Sequence, residues 1–341
     1  MRAWVSHGAG LERLKLETRE TPRPGPGQVL LRLRAASVAL RDHKMALGAY
    51  GAGADASGRV LGGEGVGEVA ALGPGVSGWV IGQRVSPLFI QGYTAERIAA
   101  QAIAATSLGG LQRDGCFAEF MLADAAALVE VPNHLSDAQA AALPFAGLTA
   151  WCALRSQRAL RPGDWVVTQG SNGLMLLALQ FALAAGARVI VTSKNDDKLA
   201  RAQALGATRL INYQSRPDWA AAVHDITQGE GAALVLDPGG AQTIAQSLAA
   251  LQPGGTCCVV GALGASPELG ISLPLLLGHQ LSVVGCNGGS LAAHRAMAAE
   301  VARACIEPVV EAVWPFEQLP EALAGAPKAE QFGKVALQIA E

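Results

Sequence analysis

The stretch VVTQGSNGLMLLALQF, residues 166–181, carries the residue types and spacing that most directly suggest chemistry. A short apolar β run leads into Gly170-Ser171-Asn172-Gly173-Leu174-Met175, and a helical pattern follows. In that setting a glycine loop offers backbone N–H groups and a helix N-terminus to the pyrophosphate of a dinucleotide. The usual pattern is G-x-G-x-x-G. Its glycines serve a tight turn, close approach to the phosphate, and helix–strand packing. Here Gly170 keeps the first place, Asn172 takes the second and Met175 the third. Asn enters positive φ more readily than most residues, so the turn is expected to survive with Asn172 in it. Met175 is flexible enough to be absorbed by a slightly wider gap. The alternative is a buried strand-to-helix turn that binds nothing.

The next strand ends in TSKNDDKL. A site for NAD usually carries Asp or Glu at this point, to hold the ribose hydroxyls. Ser193 stands there, followed by Lys194, with Lys198 one turn into the next helix. A carboxylate would repel a 2′-phosphate, whereas a hydroxyl with two lysines would welcome it. This favours NADP(H) over NAD(H), although Asp196 and Asp197 offset part of the charge and the lysines could be simple surface groups. Other chemistries find little support. There is no G-x-S-x-G elbow for a serine nucleophile. Cys116 has no activating His or cation near it in sequence, and reads as a packing residue. His43, His279 and His294 stand apart, without metal-ligand spacing.

The elements that would position these residues fall into two groups. The 341 residues suffice for two cores. Residues 1–134 are short β runs punctuated by Gly and Pro, including QVLLRLRAASV, GEGVGEVAALG and CFAEFMLAD. Residues 91–115 are Ala- and Gly-rich, without a period, and read as a loop or lobe. From 135 the rhythm changes. SDAQAAALPFAGLTAWCAL is helical, with Ser136 as its N-cap. Apolar strands then alternate with helical patterns: 165–170, 188–193, 209–213, 233–237, 256–261 and 281–285. This predicts an α/β domain over 135–286 with a doubly wound parallel sheet of Rossmann type. The tail, 287–341, gives a helix, a Gly turn and a last strand, and is expected to rejoin the β domain.

Bulk composition narrows the function classes. Charged residues make up 16% and the net charge is −2, with no basic cluster, so a nucleic-acid footprint is absent. The six cysteines form no C-x-x-C pair, and Cys257-Cys258 lies in an apolar run. Reduced thiols and an N-terminus without an apolar signal core point to the cytoplasm. The uncharged run 166–187 is broken by Gly, Ser, Asn and Gln, which favours a buried helix over a membrane span.

Along nearly its whole length the chain resembles the medium-chain dehydrogenase/reductase family. The matching pieces are PGPGQVLLRLRAASVALRDHKM, GGEGVGEVAALGPGV, GQRV, CFAEF, LPFAGLTAW, LRPGDWVVTQG, GARVIVTS, KLARAQALGATRLINY and FGKVALQI. The resemblance implies a GroES-like substrate domain beside the Rossmann domain. Zinc-dependent members carry metal ligands at the positions of Ala39, Gly63 and Phe145, none of which can ligate. The lobe of four cysteines that holds a structural zinc would fall in 91–115, which has no cysteine. The chain is most similar to zinc-free members, the quinone and enone reductases and a bacterial alcohol dehydrogenase-like branch. That implies hydride transfer from NADP(H) to an activated C=C or a quinone. Zinc-free alcohol or carbonyl chemistry is a second possibility, and dinucleotide binding with little catalysis a third.

By the same resemblance, Tyr50 matches an active-site tyrosine and Thr149 a residue beside the nicotinamide. Lys198 and Tyr213 match a pair that touches the 2′-phosphate. Gly239, Gly261 and Ala262 fall at the carboxyl edge of the sheet, where dinucleotides lie. Ser171, Gly173 and Leu174 complete the phosphate loop. Quinone reductases carry Asn where Ala39 stands, so a substrate-binding amide is missing. Arg41 and Asp42 are expected to brace the cleft. Family dimers pair through the sixth strand, so a homodimer is expected. The Ala-, Gly- and Leu-rich segments 44–60, 91–115 and 263–295 would wall a pocket for a small apolar carbonyl, enone or quinone.

Overall fold

The computed structural model describes residues 1–50, 56–95, 98–157, 159–261, 268–326 and 331–340. Two compact units divide the chain, Met1–Leu148 with Gly288–Glu341, and Thr149–Asn287. The division falls after Leu148 rather than at 135, because residues 135–148 pack with the first unit.

In Thr149–Asn287 the alternating pattern forms a six-stranded sheet. Its strands are Trp165–Gln169, Arg188–Ser193, Arg209–Asn212, Ala232–Asp237, Leu251–Val259 and Ser282–Gly285. Their spatial order is third, second, first, fourth, fifth, sixth, and every pairing is parallel. A parallel sheet covered on both faces needs apolar residues on both sides of each strand. Val166, Val167, Val189, Ile190, Val235 and Cys257 are accordingly fully buried. The strand order reverses between the first and fourth strands, which is the switch point where such sheets take ligands. The covering helices start on side-chain caps. Asn172, Asn195, Asp218 and Ser272 each accept a hydrogen bond from an amide in the first turn.

The cap corrects the expectation for Asn172. Its backbone is extended, φ −73° and ψ 170°, and its Oδ1 accepts from the Met175 amide at 3.1 Å. An N-cap needs extended backbone to bring its side chain onto the third helical amide. The left-handed turn is made by Gly170 alone, at φ +92°. Met175 is buried, as a core position requires.

The first unit is built on the long strand Gln28–Val38. It pairs antiparallel with Glu64–Leu72, with Phe120–Asp124 and with Lys334–Gln338. The C-terminal segment therefore rejoins the β domain through its last strand. Among the described residues, 91–115 contain one short helix, Ala100–Thr106. Two turns are too few to show a period in the sequence. The expected helix after Ser136 is broken. Ser136 and Gln139 cap a short piece, Asp137–Ala140, reciprocally. A wide turn over Leu143–Gly147 follows, in which the Gly147 amide donates to the Ala142 carbonyl five residues back, at 3.1 Å. Pro144 has no N–H to continue the regular ladder, and helix Leu148–Ala153 resumes beyond it. Among the described residues no helix is long and apolar enough to cross a membrane.

His294, on helix Leu291–Arg303, lies buried in the first unit. Its Nε2 is 3.4 Å from Ser86 Oγ, and its Nδ1 has no hydrogen-bond partner. Burial lowers its pKa to about 3. The unfolded chain takes up this proton near pH 6.5, whereas the native protein does so only near about 3. Between these values the unfolded state binds more protons, so stability falls as pH drops. We expect urea midpoints of the wild type to decline from pH 6.5 downward, and His294→Leu to flatten that decline. An equal slope in both proteins would refute this assignment.

Candidate active site

Two buried carboxylates organise the first unit where the resemblance locates chemistry. Asp42, on the short helix Leu40–Ala46, is fully buried. Its Oδ2 accepts from the Ala39 amide at 3.0 Å, and its Oδ1 from the Gly63 amide at 3.1 Å. The Arg41 guanidinium donates to Oδ1 at 3.3 Å. Burial raises the Asp42 carboxyl above the usual range, and the charge of Arg41 opposes the rise. Glu64, the first residue of its strand, is also fully buried. Its Oε2 accepts from the amides of Phe145 and Ala146 at 3.2 and 3.0 Å. Its Oε1 is bonded to the ammonium of Lys334, which opens the last strand. Asp42 and Glu64 together thus hold the backbone at 39, 63 and 145, the three positions to which the family resemblance would assign zinc ligands.

The space beside those positions is filled. Phe145 packs on Phe89 with ring centroids 4.1 Å apart. The Arg41 guanidinium lies 5.0 Å from the Phe89 ring and 5.4 Å from that of Tyr50. A Cβ added at Gly63 would come within 3.1 Å of Phe89 and 3.3 Å of Arg41 Nη1. Ala39, Gly63 and Phe145 offer no side-chain donor atom, and a side chain at 63 would need Phe89 or Arg41 to give way by a few tenths of an ångström. The residues do not fit a catalytic zinc. Among the described residues no group of three or more His, Cys, Asp or Glu side chains could hold a metal ion. Tyr50 is 41% exposed, with its ring against Arg41. Arg41 and Asp42, expected to brace the cleft, are bonded to each other, and Asp42 also holds the Ala39 and Gly63 amides. Glu64, Lys334 and Phe89 were missed. The signal for the first two was an acid between glycines in GGEGVGEV and the one base in FGKVALQI, each in a largely apolar strand and in need of a partner.

The second unit gathers most of the predicted cofactor residues. Gly170 follows the first strand, and Ser171 is buried. Gly173 and Leu174 open the helix, where no intrahelical acceptor exists for their amides. Asn172 uses the Met175 amide itself, so one donor fewer faces a phosphate. Ser193, Lys194, Lys198 and Tyr213 come together at the carboxyl ends of the second and third strands. The Tyr213 amide donates to the Ser193 carbonyl at 3.1 Å. Ser193 Oγ accepts from the Asn195 amide at 3.2 Å, and Asn195 caps the helix that carries Lys198. Lys194 is exposed and Lys198 buried. Partial burial raises the Tyr213 phenol.

Gly239 sits in a turn that the sequence analysis did not explain. The buried Asp237 Oδ1 accepts from the amides of Gly239 and Gly240, both at 2.8 Å, and from Thr243 Oγ1 at 2.6 Å. Its Oδ2 accepts from Ser247 Oγ at 2.6 Å. Asp before Pro-Gly-Gly was the available signal. Gly261 lies against Pro238, whose carbonyl would be 3.1 Å from an added Cβ. Ala262 lies outside the described residues. Thr149 is buried on helix Leu148–Ala153, and its carbonyl accepts from the Cys286 thiol at 3.6 Å. All six cysteines are free thiols, and burial pushes the Cys116 thiol up, which leaves it inert.

With this geometry in view, known families can be compared. Residues 25–133 match the alcohol dehydrogenase GroES-like domain, and residues 173–304 match the zinc-binding dehydrogenase domain. A zinc-type alcohol dehydrogenase-like protein of Schizosaccharomyces pombe is 37% identical over 97% of this chain and 96% of its own length. The chain belongs to the medium-chain dehydrogenase/reductase superfamily. This dehydrogenase is an NAD(P)H-dependent oxidoreductase, similar to alcohol dehydrogenases. Among solved structures, an NAD-dependent alcohol dehydrogenase superposes with a TM-score of 0.88 at 33% identity, over 100% of both chains. A quinone oxidoreductase of Pseudomonas syringae pv. tomato DC3000 superposes with a TM-score of 0.81 at 27% identity, over 99% of both.

Breaking a buried ion pair by removing one partner leaves an uncompensated charge. Lys334→Met should therefore lower the unfolding free energy by about 3–5 kcal/mol. Adding Glu64→Gln to it should restore part of that loss. Urea denaturation of the two variants checks both signs; a double variant weaker than the single would contradict the pairing.

Proposed function

We propose that this dehydrogenase is a zinc-independent NADP(H) reductase of activated C=C bonds or quinones. The observation that carries the proposal is the cluster of Phe89, Phe145 and Arg41 beside Ala39 and Gly63. It puts aromatic rings and an organic cation close to the positions that the resemblance would assign to zinc ligands, which supports a reaction without a metal. When bound, NADP(H) supplies a hydride. The chain's own residues then have three tasks: to seat the dinucleotide, to orient the acceptor, and to exclude water. Gly170, Ser171, Gly173 and Leu174 would receive the pyrophosphate. Ser193, Lys194, Lys198 and Tyr213 would surround the adenosine ribose and its 2′-phosphate. Tyr50 would hydrogen-bond the acceptor oxygen from the exposed side of the cluster.

The alcohol dehydrogenases among the relatives favour a second reading, zinc-free reduction of a carbonyl or oxidation of an alcohol. Products separate the two, a saturated ketone from an enone in the first case and an alcohol in the second. A homodimer in the cytoplasm fits the exposed edge strand Ser282–Gly285 and the exposed Leu273 and Leu277 beside it. Gel filtration would then give twice the chain mass of 34.9 kDa.

Fluorescence titration with NADPH and NADH is the first test. We expect NADPH to bind the tighter, and a Lys194→Gln/Lys198→Gln double variant to weaken NADPH about tenfold or more while leaving NADH nearly unchanged. Turnover should survive a zinc chelator. Preference for NADH would overturn the cofactor assignment. Binding without turnover of any enone, quinone, ketone or alcohol would leave a dinucleotide-binding protein. Loss of turnover on chelation would overturn zinc independence.

A further inference from the structure

We propose that Arg41 is the group that receives the negative charge developing on the substrate oxygen, so the substrate is one whose reduction passes through an oxyanion. The proposal rests on the reductase reading above and assigns to Arg41 the task that a metal performs in zinc-dependent relatives.

The position of the guanidinium carries the argument. It stands beside Gly63, within 3.3 Å of where a side chain would begin at that ligand position. The Phe89 and Tyr50 ring centroids lie 5.0 and 5.4 Å from it. The side chain is 7% exposed, and its single ion pair is the 3.3 Å contact of Nη1 with Asp42. Asp42 itself is occupied by the Ala39 and Gly63 amides. A guanidinium has five N–H donors. Among the described residues Asp42 is the only acceptor for Arg41. The exposed 7% of the side chain is where a substrate oxygen would reach the donors that Asp42 leaves over. A rigid planar cation with two adjacent free donors, in a largely apolar wall, is suited to one oxygen that gains charge during reaction. Packing alone would be served by an apolar side chain between the two rings.

The chemistry balances without a metal. In enone reduction a hydride adds at the β-carbon, and the π electrons of the double bond pass to the carbonyl oxygen. Arg41 holds that enolate oxygen by hydrogen bonds and keeps its own protons. The enolate then takes a proton from water at the α-carbon, and the cofactor leaves oxidised. A quinone places charge on its oxygen in the same way.

A phenol indicator tests this without turnover. 4-Nitrophenol resembles the enolate in carrying an oxygen on a planar conjugated frame, and its ionisation is read by absorbance. An opposite charge within about 4–6 Å lowers an acid's pKa by about 1–3 units. The indicator bound to the wild-type holoprotein should ionise at least about one unit below the free indicator. Arg41→Gln should abolish the shift, and Arg41→Lys should keep part of it. Turnover should fall about 10²–10³-fold in Arg41→Gln, mainly in kcat. Melting temperature and NADPH affinity report whether each variant is folded. Failure of the wild type to bind the indicator, or binding without a shift, overturns the proposal even if both variants misfold. A shift that persists in folded Arg41→Gln also overturns it. Enone or quinone turnover with no shift leaves the reductase reading standing and removes Arg41 from it. A shift lost in Arg41→Gln, with no turnover of any acceptor, supports Arg41 and removes the reductase reading.

Discussion

The buried pair of Glu64 and Lys334 is the interaction on which the first unit depends. Two opposite charges far apart in sequence meet inside an apolar sheet. Such a pair is a poor source of net stability, since desolvation offsets its attraction. What it provides is specificity. Only the register that brings the last strand beside Gln28–Val38 lets the ammonium reach the carboxylate. Once there, the second carboxylate oxygen is free to tie down the Phe145 and Ala146 amides. A wide turn that Pro144 has already weakened is thereby fixed in place. Asp42 does the same for Ala39 and Gly63. Backbone at 39, 63, 145 and 146 is thus held by hydrogen bonds to two carboxylates, with rings and a guanidinium close by.

Much of this was legible in the sequence where pattern alone decides. The six apolar runs, the helices between them and the returning last strand were placed because burial on both faces of a parallel sheet leaves an unambiguous trace. The turn from the first strand into its helix, residues 170–173, was located for the same reason. Asn172 was misjudged because a residue type that tolerates positive φ is also a strong N-cap, and the amide three residues on decided between the two. The break after Ala140 was missed because Ala and Leu favour helix on either side of Pro144. The short helix in 91–115 left no period to detect.

The candidate site was less legible, for a physical reason. Ala39, Gly63 and Phe145 could be read as the absence of ligands, but what fills the space came from elsewhere in the chain. Phe89 stands in a stretch that showed nothing but apolar character. The partnership of Arg41 with two rings is a matter of three dimensions. Asp237 shows the same limit. As a sequence feature it ends a strand, whereas in the structure its carboxylate gathers two amides and two hydroxyls into one turn.

The place of Lys334 in the chain also bears on biosynthesis. Its partner Glu64 leaves the ribosome 270 residues earlier. Until the final strand emerges, the first unit holds an acid with no counter-ion, and residues 35–38 of the long strand lack their partner on one side. The parallel sheet of Thr149–Asn287 has all its strands well before that point. Domains fold as units during synthesis, and here the order is reversed from the order of the text. The unit that begins the sequence is the one that must wait for its end.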